Sequence, residues 1–549
     1  MSIRTRKLDA ARLQLDDLRN HVVDEFLAGH IDRRGLLRHG TAYGISATML
    51  AGFAGLAPRR ALAAEAGGAT IRVATLTPAS TNPLLVEDTG GIPLLQQAGE
   101  YLVFDDPDLH LQPALATSWS ANKDGTVWTF KIRKGVKFHS GKILTADDVV
   151  YSISQLSDPK LGSNALSTFK GVLDSSGVVK VDDYTVAFHL NFANGNFPYL
   201  VSSDNYNAII RPSGSDPTTY VKNFDGTGPF KFESYSPGQG ANFVRNPDYW
   251  GGVVLPARVE FSFFSNLQAQ VLALQGQQVD MIQQISLQGS QGLFNNPDVT
   301  ILKNRATAHR EVHMRNDKPP FTDKRVRQAM ALTLNRPGII RGLLGGLADL
   351  GNDSPFSPLY PSTDKSVPQR AMDMARAKHL MAEAGVKPGT EVTLITEELQ
   401  EIPDYAVVIQ NAAQEIGLKI KLQIETSAAY YGAATFGNSN WLDSTMGITD
   451  FGHRGVPNVY LTAILTSGGV WNAAHFKNKT YDGLVSDYVG SVDLKSQRAA
   501  AGKIEKLLLD ETPIILSYFY NYLAATRANV KGVVVTGMAQ VFLQHATIS

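Results

Sequence analysis

Leu115-Ala116-Thr117-Ser118-Trp119, Asn122-Lys123-Asp124-Gly125, Thr126 to Arg133 and Leu144-Thr145-Ala146-Asp147-Asp148-Val149-Val150 together form the stretch from which the fold is read. Trp128, Phe130 and Ile132 alternate with Thr129, Lys131 and Arg133. A period of two with one apolar face predicts a half-buried hairpin strand. Asn122 to Gly125 supplies the turn before it. Thr145-Ala146-Asp147-Asp148 reads as a capping box that opens a helix through Val149, Val150 and Ile153.

Upstream, Thr70 to Leu76 predicts a strand that runs into the turn-rich Thr77 to Pro83. Downstream, Leu267 to Gln278 reads as a helix and Val279 to Ile282 as a strand. Helices are expected over Lys324 to Leu334, Ala371 to Ala384 and Tyr405 to Ile416, the last two stopped by Gly385 and Gly417. Leu418 to Ile424 then alternates as a strand. This alternation of helix and strand predicts an α/β lobe.

At 549 residues the chain is long enough for two to four domains. Its 51 basic and 51 acidic side chains give no polyanion-binding signature, which argues against a nucleic-acid partner. Without cysteine there is no disulfide, no thiolate metal site, no thiol nucleophile and no lipid-modified N-terminal Cys.

The charge is unevenly spread. Residues 1–63 carry ten Lys/Arg and six Asp/Glu, which leaves 41 basic and 45 acidic side chains downstream. Gly40 to Pro58 is uncharged and apolar but diluted by glycine; Arg33-Arg34-Gly35-Leu36-Leu37-Arg38 precedes it and Ala61-Leu62-Ala63 follows. Paired arginines before a weakly apolar stretch resemble a twin-arginine export signal, with a membrane anchor as the alternative. Residues 1–30 read either as an amphipathic helix or as the product of a start codon placed too early. Beyond Pro58 no stretch approaches the length of an apolar membrane span, so no membrane insertion is expected there.

Enzymatic chemistry finds little support. Gly135 to Lys142 has the wrong spacing for a phosphate loop and lacks the following Ser or Thr. His309 and His313 enclose Arg310-Glu311-Val312 rather than a zinc-protease pattern, and they read as surface or interface histidines on a strand. No Gly-x-Ser-x-Gly elbow is present. Asp147 and Asp148 are adjacent on a helix and do not face one another. Neither a catalytic residue, a metal site nor a cofactor is expected.

The opening stretch, extended by Arg133-Lys134-Gly135-Val136-Lys137-Phe138-His139 and Gly141, resembles the signature of family 5 of the bacterial extracellular solute-binding proteins. The likeness continues through Gly226-Thr227-Gly228-Pro229-Phe230, Arg245-Asn246-Pro247-Asp248-Tyr249-Trp250-Gly251, Leu272 to Gln275 and Val279-Asp280. It reaches Pro320-Phe321-Thr322-Asp323, Arg325 to Ala329 and Val530-Lys531-Gly532. The resemblance implies a two-lobed α/β clamshell of the periplasmic-binding-protein kind (type II, cluster C-like), with an extra domain inserted in the first lobe. It places lobe I at 64–113, 226–306 and 519–549, the insert at 114–225 and lobe II at 307–518, after a signal region at 1–63. Gly226 to Pro229 would be a crossing between domains and Asn246 to Asp248 a turn.

The resemblance also implies a monomer, free in a Gram-negative periplasm. It would capture a small-molecule or peptide ligand and deliver it to an inner-membrane ABC permease and its ATPase. Peptide-binding members pair an aspartate of the second lobe with the ligand's α-ammonium group, and Asp450 in Gly447 to Gly452 matches it, flanked by Thr449 and Phe451. A hydrogen-bonded loop aspartate is the plainer alternative. Where an acidic residue usually precedes the proline, this chain has His453-Arg454-Gly455-Val456 before Pro457, a source of positive charge for a ligand carboxylate. Glu397 to Pro403 is acidic where dipeptide-type members carry an arginine. Trp471, Asn472, Trp441, Tyr206 and Asn205 are further ligand candidates, and Thr77 to Asn82 is expected at the cleft. A peptide-like or amino-acid-conjugate ligand is expected, with an opine, a nickel complex or an oligosaccharide as alternatives. A hydrolase or amidase on the same scaffold is the reading from another class.

Overall fold

The strand expected at the start of the chain forms over Thr70–Leu76 and lies at the centre of a seven-stranded sheet. Ile71, Val73 and Ala74 are sealed from solvent, as an interior strand requires. It pairs in parallel with Arg258–Phe264 on one side and Met281–Ile285 on the other. Gly240–Arg245 and Phe230–Ser236 extend one edge, Tyr522–Arg527 and Val299–Asn304 the other, all antiparallel. These relations come from a computed structural model that describes residues 68–549. The export signal, the cleavage site and the leading helix lie outside those residues.

A second sheet of six strands has the order Ala348–Leu350, Ile514–Tyr520, His309–Met314, Met446–Phe451, Thr390–Glu397 and Leu418–Glu425. Two neighbouring segments join the sheets: one runs from Asn304 to His309, the other from Tyr520 to Tyr522. They are held side by side where the Tyr520 N–H donates to the Ala308 carbonyl at 2.9 Å. Two lobes joined by a pair of short crossings make the clamshell.

Within the first lobe, Ala116–Ala121, Val127–Ile132, Thr185–His189 and Val178–Asp182 build a separate four-stranded sheet. Trp128, Phe130 and Ile132 are buried on one face, as their alternation predicts. The helix Ala146–Leu156 opens with the expected capping box, in which the Asp148 carboxylate accepts the Thr145 N–H at 2.9 Å. Asp148 also accepts the Ser213 N–H at 2.8 Å and is fully buried, which is a structural use of the carboxylate.

Two of the quoted family blocks, Gly226 to Phe230 and Arg245 to Gly251, meet at a joint. Glu100 is half-buried and accepts from Thr227 Oγ1 at 2.7 Å, Tyr249 OH at 2.7 Å and Trp250 Nε1 at 2.6 Å. Burial pushes its carboxyl up to about 7 against those three donors. The Gly228 N–H donates to the Ala98 carbonyl at 2.8 Å, and a Cβ on Gly226 would stand 2.1 Å from the same oxygen. Gly226 to Pro229 therefore crosses tightly over the end of the helix Gly91–Ala98. Asn246 to Asp248 turns as expected, with the Asp248 N–H on Asn246 Oδ1 at 3.1 Å.

In the second lobe the helices form over Lys324–Leu332, Met374–Glu383 and Ile402–Gln414. Gly385 and Gly417 stop the last two chain segments with φ of +67° and +85°. The helix from Leu267 ends at Gln275, earlier than its pattern predicts, and the next strand begins at Met281. Gln277 at φ +58° turns the chain between them. No described helix is long and apolar enough to cross a membrane.

Candidate ligand site between the lobes

A cavity of about 330 Å³ separates the inserted domain from the second lobe. Asp204, Asn205 and Tyr206 line it from the first side, Arg454, Val456 and Asn458 from the other. The loop carrying Arg454 is fixed by Thr307, whose hydroxyl donates to the Arg454 carbonyl at 2.8 Å and accepts the Arg454 N–H at 2.9 Å. Tyr360 OH donates to that same carbonyl at 2.9 Å. With its backbone pinned, the guanidinium has one described hydrogen bond, to the His453 carbonyl at 3.1 Å, and no described ion pair. Asn205 spends its amide on the Leu200 carbonyl at 2.9 Å. The Tyr206 hydroxyl is pushed up, first by burial, with Arg454 opposing that shift.

The two sides already touch. Asp204 Oδ1 accepts the Gly455 N–H at 2.6 Å, and Asn196 Nδ2 donates to Asn458 Oδ1 at 2.8 Å. The Gly195 N–H donates to the Val489 carbonyl at 2.8 Å. A methyl group on Gly455 would lie 2.7 Å from both Asp105 Oδ2 and Asp204 Cγ, so two carboxyls converge on this glycine. Burial foremost, then Asp204 and Asp106, pushes the Asp105 carboxyl far up. Asp204 is pushed up to about 6, by burial against the opposing pull of Arg454 and the Gly455 N–H.

Asp450 stands apart from that cavity, at the end of the strand Met446–Phe451. Arg310, on the neighbouring strand and 1% exposed, forms an ion pair with Asp450 Oδ1. The same guanidinium binds Glu401 at 2.9 and 3.3 Å and Gln400 at 2.8 Å, and lies 4.2 Å over the Tyr520 ring. Tyr520 OH donates to Asp450 Oδ1 at 2.8 Å. Burial opposes the charge on Arg310, but the carboxylate of Asp450 foremost holds it protonated.

The remaining sequence candidates are built into packing. Thr449 Oγ1 pairs with Tyr430 OH at 3.0 Å, and Phe451 and Trp441 belong to one buried aromatic cluster. Trp471 packs at its edge, 6.1 Å from Trp441. Asn472 holds its own loop: its amide binds the Thr466 and Phe476 carbonyls at 3.0 and 2.7 Å and accepts the Phe476 N–H at 3.0 Å. His453 is buried, accepts the Thr307 N–H at 3.0 Å and is pushed down to about 3 by burial and Arg454. It therefore adds no positive charge at neutral pH, and the expected cation is Arg454 alone.

His309 and His313 are not the surface or interface histidines the sequence leads one to expect. They are 0% and 1% exposed, and burial pushes them down to about 4 and about 3. Among the described residues no group of three or more His, Asp or Glu is placed to hold a metal ion.

Neither Asp204 nor Arg310 is marked as a site residue by its local sequence. Asp204 sits next to two residues that were singled out, but only the fold brings it against Gly455. Arg310 had a faint signal, a charged side chain in a strand with apolar neighbours in space.

Comparisons with known proteins agree with this architecture. Residues 110–460 match the family model described as bacterial extracellular solute-binding proteins, family 5 Middle. A curated relative, heme-binding protein A of Haemophilus influenzae, is 28% identical over 78% of this chain and 82% of its own. Oligopeptide-binding protein AppA of Bacillus subtilis is 27% identical over 83% of this chain and 87% of its own. Among solved structures, HbpA2 of Haemophilus parasuis superposes with a TM-score of 0.77 at 22% identity, covering 87% of this chain and all of that one.

Proposed function

The chain belongs to the family 5 bacterial extracellular solute-binding proteins, and on that premise we propose that it captures a peptide-like or amino-acid-conjugate solute by hinge closure. The observation that carries the reading is the cavity in which Asn205 and Tyr206 meet Arg454 across the two sides of the clamshell. Its volume, about 330 Å³, lies at the small end of ligand pockets, which suits a compact solute rather than a long chain. Arg454 is the partner for a ligand carboxylate, and amide and hydroxyl groups around it supply further hydrogen bonds. The relatives that bind heme and oligopeptides support solute capture and differ in what they hold.

Closure is a population shift, so the ligand must prefer the closed arrangement by a few kcal/mol. The closed complex then docks on an inner-membrane ABC permease, which releases the solute. We place the protein in a Gram-negative periplasm as a monomer, exported by the twin-arginine-type segment of residues 1–63. Lobe I comprises 64–113, 226–306 and 519–549, the insert 114–225 and lobe II 307–518.

Incubation with mixed di- and tripeptides tests binding against chemistry. The protein should unfold at a higher temperature with a bound peptide present, and the peptide should be recovered intact. Recovery of cleaved peptide contradicts a pure binding function.

A further inference from the structure

The two carboxylates that could meet a ligand's ammonium group differ in what they already hold. Asp450 compensates Arg310, a guanidinium 1% exposed whose other anionic partner is Glu401. Taking Asp450 for a ligand would loosen the pairing of a cation that cannot leave the protein interior. Asp204 has no such duty. Its Oδ1 accepts one backbone N–H, from Gly455, and its Oδ2 accepts no hydrogen bond from a described residue. It lines the 330 Å³ cavity together with Arg454, with which it forms no described ion pair. The charged lining is Asp204, Arg454 and the exposed Lys170. One carboxylate and one guanidinium thus face the same inner space without neutralising each other directly, with the Lys170 ammonium at its exposed rim. That is the complement of a zwitterion, with the ammonium end at Asp204 and the carboxylate end at Arg454.

We propose that Asp204 anchors the cationic end of the ligand, that Arg454 anchors its anionic end, and that Asp450 is a positioning residue which keeps Arg310 paired. The ligand class is a small zwitterion with a free amine. This rests on the solute-binding reading above and sharpens it. Because Asp204 comes from the first side and its backbone partner Gly455 from the second, ammonium capture and lobe contact are made by one carboxylate.

The test uses calorimetry on the full protein with free-amine di- and tripeptides and the same peptides N-acetylated. Asp204→Asn keeps an oxygen for the Gly455 N–H and removes only the charge. The wild type should prefer free amines at least ten-fold, and Asp204→Asn should lose that preference while unfolding at an unchanged or higher temperature. Asp450→Asn should instead unfold at a lower temperature and keep the preference. An Asp204→Asn protein that still discriminates, or an Asp450→Asn protein that loses discrimination with its unfolding temperature unchanged, overturns the proposal and leaves solute binding standing. Equal binding of free and acetylated peptides by the wild type also overturns it. A wild type that binds no peptide of either kind overturns the peptide reading itself.

Discussion

At the scale of single residues, the second lobe is unusual for the charge inside it. On the strand His309–Met314 all six residues are buried, four of them titratable. Arg310 is satisfied, but Glu311 is not: its Oε2 has no hydrogen-bond partner among the described residues, and burial pushes its carboxyl up to about 8. A folded-state value above the unfolded one means that the folded chain retains a proton which the unfolded chain releases. The contribution of Glu311 to stability is therefore intact below about pH 4, the ordinary glutamate value, and is lost as pH rises toward 8. Glu311→Gln keeps the shape without the titration. It should raise stability at pH 7.5 by roughly 1–3 kcal/mol and flatten the decline across that window, as read by urea denaturation at several pH values. An unchanged pH profile would show that Glu311 is solvated.

These residues mark where sequence reading stops. Asp450 is recognisable because it lies in a family-like loop, yet its pairing with Arg310 depends on two strands that are 140 positions apart in sequence. The two histidines are assigned to a strand correctly, but alternation alone does not say whether a strand has one buried face or two. Asp204 has no local signal, since its meaning comes from Gly455, 251 positions away.

At the scale of elements, local signals carried far more. The capping box at Thr145, the alternation through Ile132 and the glycine stops at Gly385 and Gly417 are contacts within a few residues, and all form as read. Where a helix end shifts, as at Gln275, the deciding feature is a turn residue that propensity does not single out. The inserted domain meets the second lobe at Gly195, where a Cβ would come 1.7 Å from the Ser491 carbonyl oxygen. Backbone leaves no room there for any larger residue. Gly195→Ala should push the inserted domain and the second lobe apart, enlarge the radius of gyration in small-angle scattering and weaken ligand binding by about ten-fold, or about 1.4 kcal/mol. A variant with wild-type dimensions and affinity would mean that this contact is incidental to capture.

For the whole molecule, the account is of two sheets joined by two short crossings, with a cavity where charged groups from both sides meet. The family blocks around Glu100 secure a joint, and none of the quoted blocks lines the cavity, which is why they identify the architecture and not the ligand. The most direct test is mass spectrometry of small molecules released by denaturing protein purified from its own cells. The account predicts one solute class, near one molecule per chain, carrying both a free amine and a carboxylate. Protein that releases no solute in that proportion, or only solutes lacking an amine, would contradict it.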